Sequence, residues 1–107
     1  MERSHTDLLS VLAYFYLRHD RPAKAAVLYR VLDILAPGDG ATMTGLAAAL
    51  VWSGRGDEAM AVLDRLDACG GGGASVHLLR SQAMELAGRA DAAAAALDRY
   101  LTARGPA

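Results

Sequence analysis

The sequence predicts an all-α fold: three antiparallel helical hairpins stacked into a short right-handed solenoid. Three observations carry this. A local pattern returns at a fixed step of 34 residues. Alanine and leucine dominate while asparagine is absent. Glycine and proline gather between the alanine- and leucine-rich stretches, which is helix punctuated by turns.

The recurring segments are Asp20-Arg21-Pro22-Ala23-Lys24-Ala25, Gly54-Arg55-Gly56-Asp57-Glu58-Ala59 and Gly88-Arg89-Ala90-Asp91-Ala92-Ala93. Arg21, Arg55 and Arg89 share one phase, as do Ala25, Ala59 and Ala93. Apolar spacing around these segments predicts helices over 5–18, 22–35, 40–53, 56–68, 74–87 and 90–103. Pro22 suits a first helical turn, where its missing N–H is harmless. Pro37-Gly38-Asp39-Gly40 closes the first hairpin and Gly70 to Gly73 close the second. Asp57 and Asp91 fall where a helix start welcomes negative charge. The whole chain, 1–107, reads as one domain with repeats of approximately 6–39, 40–73 and 74–107.

Physically, such a repeat is two helices whose backbones approach closely at alanine or glycine. Larger residues at i, i+3, i+4 and i+7 then fill the seam to the next hairpin. One hairpin cannot bury its apolar face alone, so stacking is required.

The period and residue types resemble the tetratricopeptide repeat, whose step is about 34 residues. Copy one supplies Leu12, Ala13, Tyr16, Ala25, Tyr29, Leu32 and Pro37. Copy two supplies Leu46, Ala47, Leu50, Gly54, Ala59, Leu63 and Leu66, and copy three Ser81, Met84, Gly88, Ala93, Leu97 and Tyr100. The pattern departs at the usual tryptophan of the first helix, which is Leu9, Met43 and His77 here. The proline stop becomes Gly71 and Gly105.

Of the 107 residues 53% are apolar, enough for a core, and the net charge is −1 with basic and acidic residues interleaved. No basic stripe marks a nucleic-acid surface. No apolar run approaches the roughly 20 residues of a membrane span. The N-terminus lacks the apolar core and cleavage site of a signal peptide. The lone Cys69 cannot form an internal disulfide and fits a reducing cytosol, so the expected location is cytoplasmic.

Chemistry-bearing motifs are weak. The run Gly70 to Gly73 lacks the strand and the Gly-Lys-Ser/Thr of a phosphate loop, and reads as an inter-repeat turn. His5, His19 and His77 form no i, i+4 pair and have no cysteine partner, so no metal is expected. Cys69 falls at a helix end and reads as a partly buried small hydrophobe, since a nucleophile would need a positioned base. Asp57, Glu58 and the phased arginines read as solvated faces. No enzyme activity and no cofactor is expected.

In a stack of this resemblance the first helix of each hairpin lines a concave surface. The phase then assigns Asp7, Ser10, Tyr14, Leu17 and Arg18 from copy one. It assigns Ala41, Thr44, Ala48, Val51 and Trp52 from copy two, and Ser75, Leu78, Gln82, Glu85 and Leu86 from copy three. Repeats that grip a C-terminal carboxylate carry Lys, Arg and Asn there; here only Arg18 is basic. The remaining apolar set, Tyr14, Leu17, Val51, Trp52, Leu78 and Leu86, is expected to anchor an extended or helical segment of a partner.

The segments Leu8-Leu9-Ser10-Val11-Leu12-Ala13-Tyr14, Arg21-Pro22-Ala23-Lys24-Ala25-Ala26-Val27-Leu28, Leu32-Asp33-Ile34-Leu35-Ala36-Pro37 and Leu97-Asp98-Arg99-Tyr100-Leu101 resemble the YscY (SctY) chaperones of bacterial type III secretion. That resemblance implies a small secreted partner of the YscX (SctX) kind, held soluble and presented to the export gate. An array of only three hairpins, no polar capping helix after Leu101 and the apolar groove further lead to the expectation of a 1:1 heterodimer, and of self-association when the partner is absent. Three other readings stay open: a YscG-like needle-subunit chaperone, a translocator chaperone, although those chains are usually longer, and a generic repeat scaffold.

Overall fold

The computed structural model describes residues 2–70 and 74–104. They form five helices: α1 (Glu2–Arg18), α2 (Pro22–Leu35), α3 (Gly40–Trp52), α4 (Gly56–Ala68) and α5 (Ala74–Arg104). Consecutive helices pack against one another, and α3 also touches both α1 and α5. The first helices of successive hairpins therefore stand side by side, with α3 in the middle.

The turns inside the first two hairpins are built alike, 34 residues apart. Asp20 (φ 61°) and Gly54 (φ 79°) both take the left-handed conformation. The next N–H then reaches back over the helix end: Arg21 donates to the Tyr16 carbonyl at 2.9 Å, and Arg55 to the Leu50 carbonyl at 2.8 Å. This is the six-residue closure that satisfies otherwise orphaned carbonyls at a helix C-terminus. After it, Pro22 starts α2 and Gly56 starts α4.

The expected third hairpin is not formed. The predicted helices 74–87 and 90–103 are one continuous helix of 31 residues. Gly88 stands at the step of Asp20 and Gly54 but stays helical, and Asp91 lies inside α5 instead of at a helix start. The physical reason is local. Pro22 and Gly56 give way to Ala90, followed by Asp91 and then Ala92 to Ala96. Alanine is the strongest helix former, and one glycine costs about 1 kcal/mol in a helix interior, which is too little to stop it. Beyond Gly88 every described side chain of α5 is exposed, and the molecule is elongated, 67 Å in its longest dimension.

The core runs through all five helices, from Ala13 and Leu17 of α1 to the first half of α5. Met43, Leu46, Leu50 and Leu63 are its largest fully enclosed side chains. Small residues set the close approaches, as the repeat physics requires: Ala13, Ala25, Ala47, Ala49, Ala59 and Ala83 have no exposed surface. Gly56 is one of these contacts. A Cβ there would stand 2.8 Å from the Ala83 carbonyl oxygen and 2.9 Å from the Leu86 Cβ, so α4 begins hard against α5. Ion pairs bind the hairpins from outside. Arg65 on α4 makes a bidentate pair with Asp33 on α2 at 2.8 and 3.0 Å. Arg30 meets Glu58, and Arg80 on α5 meets both Asp64 and Asp67.

Candidate partner-binding face

The lining positions assigned by repeat phase lie on α1, α3 and the first half of α5. Because α3 packs against both neighbours, these positions form one strip along the stack. The strip has an enclosed floor and an exposed rim. Leu17, Ala48 and Val51 are buried. Leu17 and Val51 are therefore corrected from anchors to core residues: their phase points between α1, α3 and α5, where neighbouring helices cover them. Leu86 is half-buried and packs on the core.

The rim holds one large apolar residue per helix. Tyr14, Trp52 and Leu78 are 55, 53 and 60% exposed. The Arg18 guanidinium lies 5.8 Å from the Tyr14 ring centroid, near enough to be drawn to the ring face. Thr44 is half-buried, and its hydroxyl donates to the Gly40 carbonyl at 2.8 Å. Its proton therefore serves the helix backbone. Gln82 is half-buried, while Glu85 is exposed and ion-paired with Arg89. Asp7, Ser10 and Ala41 are exposed. Ser75 lies outside the described side chains.

At the α1 end the strip deepens into an open cleft of about 380 Å³ lined by Ser10, Val11, Tyr14, Tyr29 and Ala41. Tyr29 is its buried wall. Burial pushes the Tyr29 phenol above the ordinary tyrosine value, and the neighbouring Tyr14 adds to the shift. The phenol thus stays neutral, presenting a hydroxyl and a ring edge without charge.

Of the phased arginines, Arg55 is held by Glu58 and Arg89 by Glu85, while Arg21 is exposed. The hydrogen bond from Arg55, together with the Arg55 and Arg30 charges, holds the Glu58 carboxyl below the usual carboxylate range despite some opposing desolvation. His19 stacks on Phe15, ring centroids 4.1 Å apart, His77 is exposed, and His5 lies outside the described side chains. Cys69 is exposed and caps the end of α4. Among the described residues no group of three or more His, Cys, Asp or Glu is placed to hold a metal ion. No described helix is long and apolar enough to cross a membrane.

A second apolar surface escaped the sequence reading. Leu8, Val11 and Phe15 on the outer side of α1 are all exposed. The signal was available in the repeat phase. Their counterparts, Thr42 and Val76 for Leu8, and Ala49 and Ala83 for Phe15, are buried by the preceding hairpin.

Among known families, the model of the tetratricopeptide repeat matches residues 16–83, more than half of the chain. No curated protein matches it. The matched segment holds the turns inside both hairpins, every small-residue contact but Ala13, and most of the rim. The chain belongs to the tetratricopeptide repeat family, whose repeats serve as protein-binding modules.

Proposed function

We propose that this chain holds another polypeptide along the α1–α3–α5 strip, with Tyr14, Trp52 and Leu78 as anchors. The observation that carries the reading is one exposed large apolar side chain on each of three adjacent helices. They sit above an enclosed floor of Leu17, Ala48 and Val51. Aromatic anchors backed by a rigid floor are the usual energetic centre of such contacts. The uncharged cleft beside Tyr29 would take an apolar side chain of the bound segment.

The partner we favour is a small secreted component of a bacterial type III secretion system, SctX/YscX-like, kept soluble by this chain and presented to the export gate. The resemblance of the four segments to SctY chaperones supports this, and with it a cytoplasmic location is proposed. The needle-subunit chaperone and the generic scaffold use the same strip with a different occupant. Co-expression with an SctX/YscX-like protein tests the choice. A 1:1 complex that melts above the free chain is expected, because a ligand of the folded state stabilises it by mass action. Failure to form that complex rejects the SctX/YscX-like partner and leaves the needle-subunit chaperone and the scaffold.

A further inference from the structure

Along its length α5 carries exposed residues at positions that are buried in the preceding repeat. Leu97 stands at the step of Tyr29 and Leu63, which are 5 and 0% exposed, yet it is itself 59% exposed. Met84 stands at the step of Leu50, which is fully buried, and is 56% exposed. Ser81 repeats the enclosed Ala13 and Ala47 and is also exposed. Val76, Leu79 and Ala83, on the side of α5 that meets the inner helices, are buried. So both halves of a third hairpin interface are present and neither is covered: one half lies before Gly88, the other after it.

From this we infer that two copies of the chain pair through α5, each placing its outer half, 90–103, where the other's third hairpin would close. The two α5 helices run antiparallel and cross near Gly88. The 74–87 segment of each meets the 90–103 segment of the other, so the interface is two-fold and closed. One feature of the chain selects a second copy over an internal fold-back. The turn signal is lost at this step, since Ala90 replaces Pro22 and Gly56, so α5 stays straight and its two halves cannot meet within one chain. The charges also repeat. Asp33 is bound by Arg65 across the first two hairpins, and the residues at the next step are Asp67 and Arg99. Arg99 has no ion-pair partner among the described residues, and in either arrangement it would join Arg80 at Asp67, in the exchange the Asp67 of the second copy. The inference does not depend on the groove or on its partner.

Light scattering coupled to size exclusion, run over a range of concentrations, tests it. The wild-type chain is expected at twice its 11.2 kDa mass. Leu97→Asp and Met84→Asp, each damaging one half of both interfaces, are expected at single-chain mass with helical circular dichroism retained. Mixing these two variants restores one intact interface and is expected to return dimer. Ala90→Pro, which copies Pro22, is expected to let the hairpin close within one chain and to give a folded monomer. A wild-type chain of single mass at every concentration overturns the inference. So does a dimer that survives Ala90→Pro, or one lost with Leu97→Asp but kept with Met84→Asp, which would seat the α5 tail elsewhere on its neighbour. Failure of the mixture to dimerise, with both variants folded, also overturns it.

Discussion

Gly45 on α3 lies against the ring of Tyr29 on α2, so closely that a Cβ at Gly45 would collide with Cζ and Cε1 and stand 2.9 Å from Oη. The aromatic ring of the first hairpin is therefore seated on bare backbone of the second. Gly45→Ala should destabilise the fold by about 1–3 kcal/mol, the usual range for overpacking a tight contact. Combining it with Tyr29→Leu should recover part of the loss, since contacting sites are not additive. Chemical denaturation of the two single variants and the double variant measures this; simple additivity would place the strain elsewhere.

Tyr29 also sets an alkaline limit. Its folded pKa is raised above the ordinary tyrosine value by burial. A raised folded value on an acid means the neutral form is favoured in the native state. The contribution is thus complete below about pH 10 and is lost as pH rises from there through the folded pKa. The melting temperature of the wild-type chain should fall over that window. Tyr29→Phe should flatten the fall, and an unchanged alkaline slope would remove Tyr29 as its cause.

Gly54 and Gly88 occupy one phase of the repeat but opposite conformations. Gly54 has a φ of 79° and closes a turn, whereas Gly88 is helical with open space where a Cβ would go. Gly54→Ala should cost about 1–2 kcal/mol for a left-handed alanine. Gly88→Ala should instead stabilise by about 0.5–1 kcal/mol through helix propensity. Thermal melts of both variants check the sign. A destabilised Gly88→Ala chain would indicate a turn at 88 and a hairpin there.

The bidentate Asp33–Arg65 pair links the second helices of the first two hairpins, with Asp33 mostly covered and Arg65 half exposed. Solvent screens the arginine, so a double-mutant cycle with Asp33→Asn and Arg65→Gln should give a coupling of at most about 1 kcal/mol. A much larger coupling would mean that this pair, and not the apolar seam, holds the two hairpins together.

Much of the fold was legible because the 34-residue step is a covalent fact that packing must respect. The predicted helices 22–35, 40–53 and 56–68 agree with α2, α3 and α4 to within a residue, and α1 merely begins earlier, at Glu2. Phase gives a position, though, and not its conformation. Arg89 and Gly88 repeat faithfully, yet the turn also needs a breaker at the following helix start, and Ala90 supplies none. The strip was legible in the same partial sense. Phase placed Tyr14, Trp52 and Leu78 on it, but could not tell rim from floor. Leu17 and Val51 differ from their neighbours Arg18 and Trp52 by one residue, about 100° around a helix, and that turns them inward.

The rim anchor Trp52 and the floor residue Val51, adjacent in sequence, allow the decisive measurement. Titration calorimetry of the proposed SctX/YscX-like partner against wild-type chain and Trp52→Glu, with melts of both, compares binding and folding at once. Val51→Asp, which places a charge in the core, should fail to fold and mark the boundary between the two effects. Trp52→Glu should melt like wild type and lose about 2 kcal/mol of binding, roughly thirtyfold in Kd. Unchanged affinity in a folded Trp52→Glu chain would contradict a partner seated on the α1–α3–α5 strip.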